Sequence, residues 1–241
     1  NGTRQRFTFT AANAGARRSQ PVWSPDGRRL YYAVEQDGLV TIHVKQTDGG
    51  GVEEKVLEIP ERDIWPYDIS QDGQWLLFGN EADDSNEDLW IYPLAGNGEP
   101  RPLFETRFDE WPGAISPDGH WLALDSDESG RREVYVIPFP DGGGKWQISR
   151  AGGRFPRWNG DGSELFFQDP EGGIVAVPMD LAGDKFSAGE PQRLFQSFML
   201  SGSMGDFAPT RAGDRLMVVE QAAQEAPISL FLNWMDALAT R

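Results

Sequence analysis

The stretch Pro21–Val34, PVWSPDGRRLYYAV, sets a Ser-Pro-Asp-Gly turn between two strand-like runs. The arrangement returns as YDISQDGQWLLFGN at 67–80, GAISPDGHWLALDS at 113–126, PRWNGDGSELFFQD at 156–169 and APTRAGDRLMVVEQ at 208–221. Taking the Ser as anchor, the equivalent residues are Ser24, Ser70, Ser116, Asn159 and Thr210, separated by 46, 46, 43 and 51 residues. That period matches one four-stranded propeller blade. Three positions past each anchor stands Gly27, Gly73, Gly119, Gly162 or Gly213, and six past it Leu30, Leu76, Leu122, Leu165 or Leu216. The glycine has a physical job, because a tight hairpin needs a residue that tolerates positive φ.

Working outward from the turn, each unit has one internal order. A short strand enters the turn and a second leaves it (Leu30–Val34, Trp75–Gly79, Trp121–Asp125, Glu164–Gln168, Arg215–Val219). A third reads TIHVK, DLWIYP, EVYVIP, GIVAVP or SLFLNW, and a fourth reads EKVLEI, PRPLFE, KWQIS or PQRLFQ in the first four units. Turn signals such as DGGG and GNGEP separate third from fourth. The fifth unit runs out after its third strand, while Gln5–Phe9, QRFTF, resembles the fourth strands. The expected fold is therefore all-β: one domain over 1–241, a five-bladed β-propeller of four-stranded antiparallel blades, its last blade closed by the N-terminal strand 5–9 beside Ser229–Trp234. A piece cut from a larger propeller fits the same pattern. The abrupt opening on NGTRQRFTF is what a processed or shortened chain would give.

Composition agrees and excludes several functions. Nine Trp and 14 Phe with 28 Gly and 17 Pro is a strand-and-turn composition. The chain has no Cys, so neither disulfides nor thiolate chemistry are available. A formal charge of −16, from 22 Lys+Arg against 38 Asp+Glu, argues against nucleic acid and anionic membrane surfaces as partners. No apolar run is long enough to span a membrane, so membrane insertion is not expected.

The repeats WSPDGRRLYY and ISPDGHWLAL, with SDESGRREVYVIPF, resemble the WD-like propeller repeats of TolB-type proteins. Trp121–Trp234 is similar to propeller modules attached to bacterial membrane-anchored serine/threonine kinases, and the repeat also resembles that of prolyl-oligopeptidase-like propellers. The resemblance implies a ligand- or protein-binding module acting in the periplasm or elsewhere outside the cytoplasm. It carries over neither kinase nor peptidase activity, since both catalytic domains are absent from this stretch of chain.

Candidate chemistry is sparse. His43 sits in a third strand and His120 in a solvent-facing turn, so neither a Ser–His–Asp triad nor a histidine zinc site has good candidates. DSDESG, Asp125–Gly130, imitates the opening of a calcium loop, but its twelfth position is Val136 instead of Glu, and an acidic hairpin loop is the expected reading. The informative place is the entry to each first strand: RRSQ, DIWP, DEWP, GRFP and SMGD. In a propeller these entries converge at one channel mouth. They bring Asp63, Asp109, Glu110 and Asp206 beside Trp65, Trp111 and Phe155, with Asp68 two residues before its anchor. Buried acids need partners, and Arg17, Arg18, Arg154 and Arg157 are in register to supply them.

Two functions follow. In the first, a small molecule or peptide binds at the mouth through Trp65, Trp111, Phe155 and Arg154. In the second, Asp63, Asp68, Asp109, Glu110 and Asp206 hold Ca²⁺ or another divalent cation. Asp63 or Asp206 then acts as base or nucleophile in metal-dependent hydrolysis of esters, lactones or phosphotriesters.

Overall fold

A computed structural model describes residues 17–48, 50–81, 88–96, 98–103, 106–181, 186–196, 207–210, 214–219 and 228–232. These residues form strands and turns only, organised as five antiparallel sheets in chain order. The first is β1 (Arg17–Trp23), β2 (Arg29–Gln36), β3 (Leu39–Gln46) and β4 (Glu54–Leu57); the second is β5 (Asp63–Ile69), β6 (Trp75–Glu81), β7 (Asp88–Pro93) and β8 (Arg101–Pro102). The third is β9 (Glu110–Ile115), β10 (Trp121–Ser126), β11 (Glu133–Pro138) and β12 (Trp146–Gln147). The fourth is β13 (Arg154–Trp158), β14 (Glu164–Gln168) and β15 (Gly173–Asp180), whose outer edge pairs with both β16 (Ser187–Ala188) and β17 (Gln192–Gln196). The fifth has β18 (Phe207–Pro209), β19 (Arg215–Val219) and β20 (Ile228–Leu232). The expected closing strand Gln5–Phe9 lies outside the described residues.

The anchor residues explain the repeat. Ser24 Oγ donates to Asp26 Oδ1 at 2.6 Å and accepts the Arg29 N–H at 2.9 Å, while Asp26 Oδ1 also accepts the Arg28 N–H at 3.0 Å. Ser70 with Asp72, and Ser116 with Asp118, repeat this pattern, and in both the donated bond is 2.5 Å. At Asn159 the amide oxygen takes the serine's acceptor role toward Glu164 N–H at 3.1 Å, and Ser163 instead donates to Asp161. Each described turn glycine has positive φ: 69° at Gly27, 71° at Gly73, 77° at Gly119 and 77° at Gly162. Hydroxyl, carboxylate and glycine thus close the hairpin with atoms of one short segment, which is why these residue types recur at fixed offsets.

Packing divides the chain into two compact units, Asn1–Arg107 and Phe108–Arg241. In the first, Tyr31, Ile42, Ile64, Leu76 and Phe78 form a core between its two sheets. In the second, Trp121, Val136, Trp158, Leu165 and Val177 join the third sheet to the fourth, and Phe166, Ile174, Phe207 and Leu216 join the fourth to the fifth. Apolar residues from facing strands interleave in each layer, and this burial supplies most of the driving force for folding.

Candidate functional site

The first strand of each of the first four sheets contains one extra residue at the same place. Register slips between Ser19 and Val22, between Pro66 and Asp68, between Pro112 and Ala114, and between Arg154 and Arg157. Bulges re-aim side chains near strand ends and are frequent beside functional sites. In β13 the bulge sets Phe155 at φ 57°, a conformation that costs a bulky residue of the order of 1–3 kcal/mol. Two contacts hold it there. Its N–H donates to Asp125 Oδ2 at 3.0 Å, and its ring lies 6.2 Å from that of Trp111.

Asp125, at the end of β10, is fully buried. Burial pushes its carboxyl above the usual carboxylate range, against the opposing pull of the Phe155 N–H and Arg132. Arg132 Nη1 donates to Asp125 Oδ1 at 2.8 Å, and its Nη2 contacts Asp109 Oδ2. Asp109 Oδ1 also accepts the Trp111 Nε1–H at 3.2 Å. The Trp111 ring carries two guanidinium groups, Arg132 at 5.0 Å and Arg154 at 5.3 Å. Arg154 lies 4.6 Å over the Phe155 ring as well, and its buried Nε has no hydrogen-bond partner.

The sequence-predicted residues divide by unit. Asp109, Trp111, Arg154 and Phe155 come together in the second. Glu110, fully buried beside them in sequence, accepts the Ser126 hydroxyl at 3.3 Å and has Lys145 Nζ at 3.8 Å. In the first unit, Asp63 Oδ1 accepts the Val40 N–H at 3.2 Å, Trp65 is half-buried opposite Gly79, and Asp68 Oδ1 accepts the N–H of Ile69 at 2.8 Å. Asp206 lies outside the described residues. Among the described residues no three Asp, Glu, His or Cys gather as a metal-holding group.

The expected partners differ from those found. Arg18 donates to Glu53 at 3.1 Å through both Nε and Nη2, and Arg157 donates to the carbonyl oxygens of Gly113 and Pro156 at 2.6 and 2.9 Å. The cations that meet Asp109, Asp125 and Glu110 are Arg132 and Lys145, which sequence reasoning did not single out. The available signal was DSDESGRRE itself, an acidic strand end returning through a hairpin onto two arginines. The calcium-like loop is an ordinary turn: Asp125 is held by Arg132, Asp127 Oδ1 accepts the Asp109 N–H at 3.1 Å, and Gly130 has φ 89°. His43 is half-buried on β3, its Nε2 3.0 Å from Thr41 Oγ1, and His120 is exposed.

No family model and no curated protein matches the chain. Among solved structures, TolB from Acinetobacter baumannii matches with a TM-score of 0.71 at 16% identity, over 90% of this chain and 52% of that one. The fold is a TolB-like β-propeller. A putative TolB from Agrobacterium tumefaciens gives 0.67 at 19% identity, over 92% of this chain and 79% of that one. A puromycin-hydrolyzing peptidase of Mycobacterium tuberculosis gives 0.64 at 16% identity, over 91% of this chain and 36% of that one. This chain thus spans about half the length of the Acinetobacter protein and about a third of the peptidase. Identities this low establish the shared architecture alone.

Proposed function

We propose that this chain is a recognition module: a closed five-bladed propeller over 1–241, its last blade completed by Gln5–Phe9. It acts outside the cytoplasm and binds a small molecule or peptide where β9 and β13 begin, in the second unit. Arg154 is the observation that carries this reading. Its guanidinium rests on two aromatic rings beside a strained backbone, with a buried Nε left without a partner, whereas neighbouring Arg132 is fully occupied by two carboxylates. A planar, pre-positioned cation suits a carboxylate, and the half-buried Trp111 ring supplies an apolar surface beside it, while Phe155 is packed in the core beneath.

Benzoate combines both features and serves as the probe, followed by isothermal titration. Saturable binding is expected for the unaltered protein. Arg154→Met should bind about tenfold more weakly, the loss expected for one charge-assisted hydrogen bond of about 1.5 kcal/mol. Benzamide, of the same shape but uncharged, should bind no better than that variant. Equal binding by the unaltered protein and Arg154→Met would overturn the reading.

A further inference from the structure

The fourth sheet differs from the others at its outer edge. In the first three sheets one strand covers the third, but β15 is shared: Gly173–Ala176 pair with β17 and Met179–Asp180 with β16. The chain between them, Gly189–Pro191, crosses from one to the other, tied by the Gly189 N–H to Pro178 O at 2.8 Å. The crossing leaves a cleft of about 430 Å³ between the 188–193 segment and the turn that follows β12. That volume suits a small organic ligand.

The floor is apolar, made by Ile148, Phe167 and Val175. Arg193 forms one wall and is already neutralised, by Asp169 at 2.9 Å and Glu171 at 2.9 Å. Two exposed rim residues are different. Arg150 and Glu190 both line the cleft, and neither side chain forms an ion pair with the other or with any other described residue. An apolar floor flanked by one spare cation and one spare anion is complementary to a molecule with the reverse pattern. We propose that this cleft binds a zwitterion with a bulky apolar side chain, an α-amino acid or short peptide. Its carboxylate meets Arg150, its ammonium meets Glu190, and its side chain lies over Phe167 and Val175. Strands β15 and β17 and the Gly189–Pro191 connection frame the cleft.

Methyl spectra of the whole chain titrated with L-phenylalanine, 3-phenylpropionate and phenethylamine test this, with Ile148 and Val175 as reporters. Phenylalanine should give saturable shifts at both, and each singly charged analogue should bind about tenfold more weakly. Arg150→Ala and Glu190→Gln, both exposed, should each cost phenylalanine a similar factor, and Ala188→Trp, which fills the cleft from an exposed edge position, should abolish binding. Three probes of equal affinity, no saturable shift at Ile148 and Val175, or unchanged binding in Ala188→Trp would each overturn the proposal. Repeating the titration in Arg154→Met keeps the outcome separate from that of the first site.

Discussion

Replacing Arg132 with Met isolates the most demanding electrostatic arrangement in the second unit. The substitution keeps the aliphatic stem and removes a guanidinium whose Nη1 is 2.8 Å from a carboxylate oxygen that solvent does not reach. Two unit charges about 4 Å apart interact by about 4 kcal/mol at an effective dielectric of about 20. Removing one partner of a buried pair costs about 3–5 kcal/mol because the other is left uncompensated. Asp125 keeps the Phe155 N–H and the field of Arg154, which places the expected loss near the low end, about 3 kcal/mol at pH 7. The loss should depend on pH with a definite sign. A carboxyl whose folded pKa is raised contributes stability that is present below its unfolded value and lost as pH rises through the folded one. Removing Arg132 raises it further, so the gap between variant and unaltered protein should widen from pH 5 to pH 8. Denaturant unfolding across that range measures it. Asp125→Asn in the same background should recover at least about 1 kcal/mol relative to the sum of the single losses. Additive losses, or a gap that does not change with pH, would refute the pairing as the source of stability.

Ser116→Ala should cost about 1–2 kcal/mol, because the buried Trp121 N–H loses its acceptor and Asp118 its donor, whereas Asn159→Ser should be nearly neutral; thermal unfolding distinguishes them. Glu164 is pushed up to about 7 by burial and by Asp161, so the folded state loses stability as pH rises from about 4.5 through 7. Glu164→Gln should therefore stabilise by about 1–2 kcal/mol at pH 8, after discounting for solvent screening, and by nothing at pH 4. Calcium should leave the melting temperature unchanged, since Asp109 and Asp125 already share Arg132. A rise that saturates with calcium and disappears on chelation would restore the metal-ligand reading of Asp63, Asp68, Asp109, Glu110 and Asp206.

What could be read from sequence was what is local in the chain. The Ser–Asp–Gly hairpin is made by residues within six positions of one another, so its composition shows it directly, and strands such as Asp88–Pro93 and Glu133–Pro138 fall where alternation put them. The site was legible in its residue types and illegible in its pairings. Which cation meets which acid depends on register, and register is reset by a bulge of varying composition: Gln20 and Pro21, then Tyr67, then Gly113, then Phe155 and Pro156 occupy it in successive sheets, with only a proline at or beside it (Pro21, Pro66, Pro112, Pro156) in common. A loop-by-loop alignment therefore offered Arg154 and Arg157 to the acids, while the folded hairpin delivers Arg132. The divided outer edge of the fourth sheet was equally hidden. PQRLFQ alone looks like a complete fourth strand, and nothing in KFSAG signals that Ser187–Ala188 takes the other half of β15.

The self-contained hairpin closure has a consequence for how such a chain can change over time. Because Ser24, Asp26 and Gly27, and their counterparts in the next three units, fasten each turn with atoms of their own unit, a stretch of about 46 residues brings its own clasp wherever it is placed. Duplication, loss or exchange of a whole unit leaves every remaining clasp intact. Substitutions at the opposite strand ends, where Phe155 and Arg154 sit, are likewise free of that constraint, so new binding preferences can be tried there without reopening the turns.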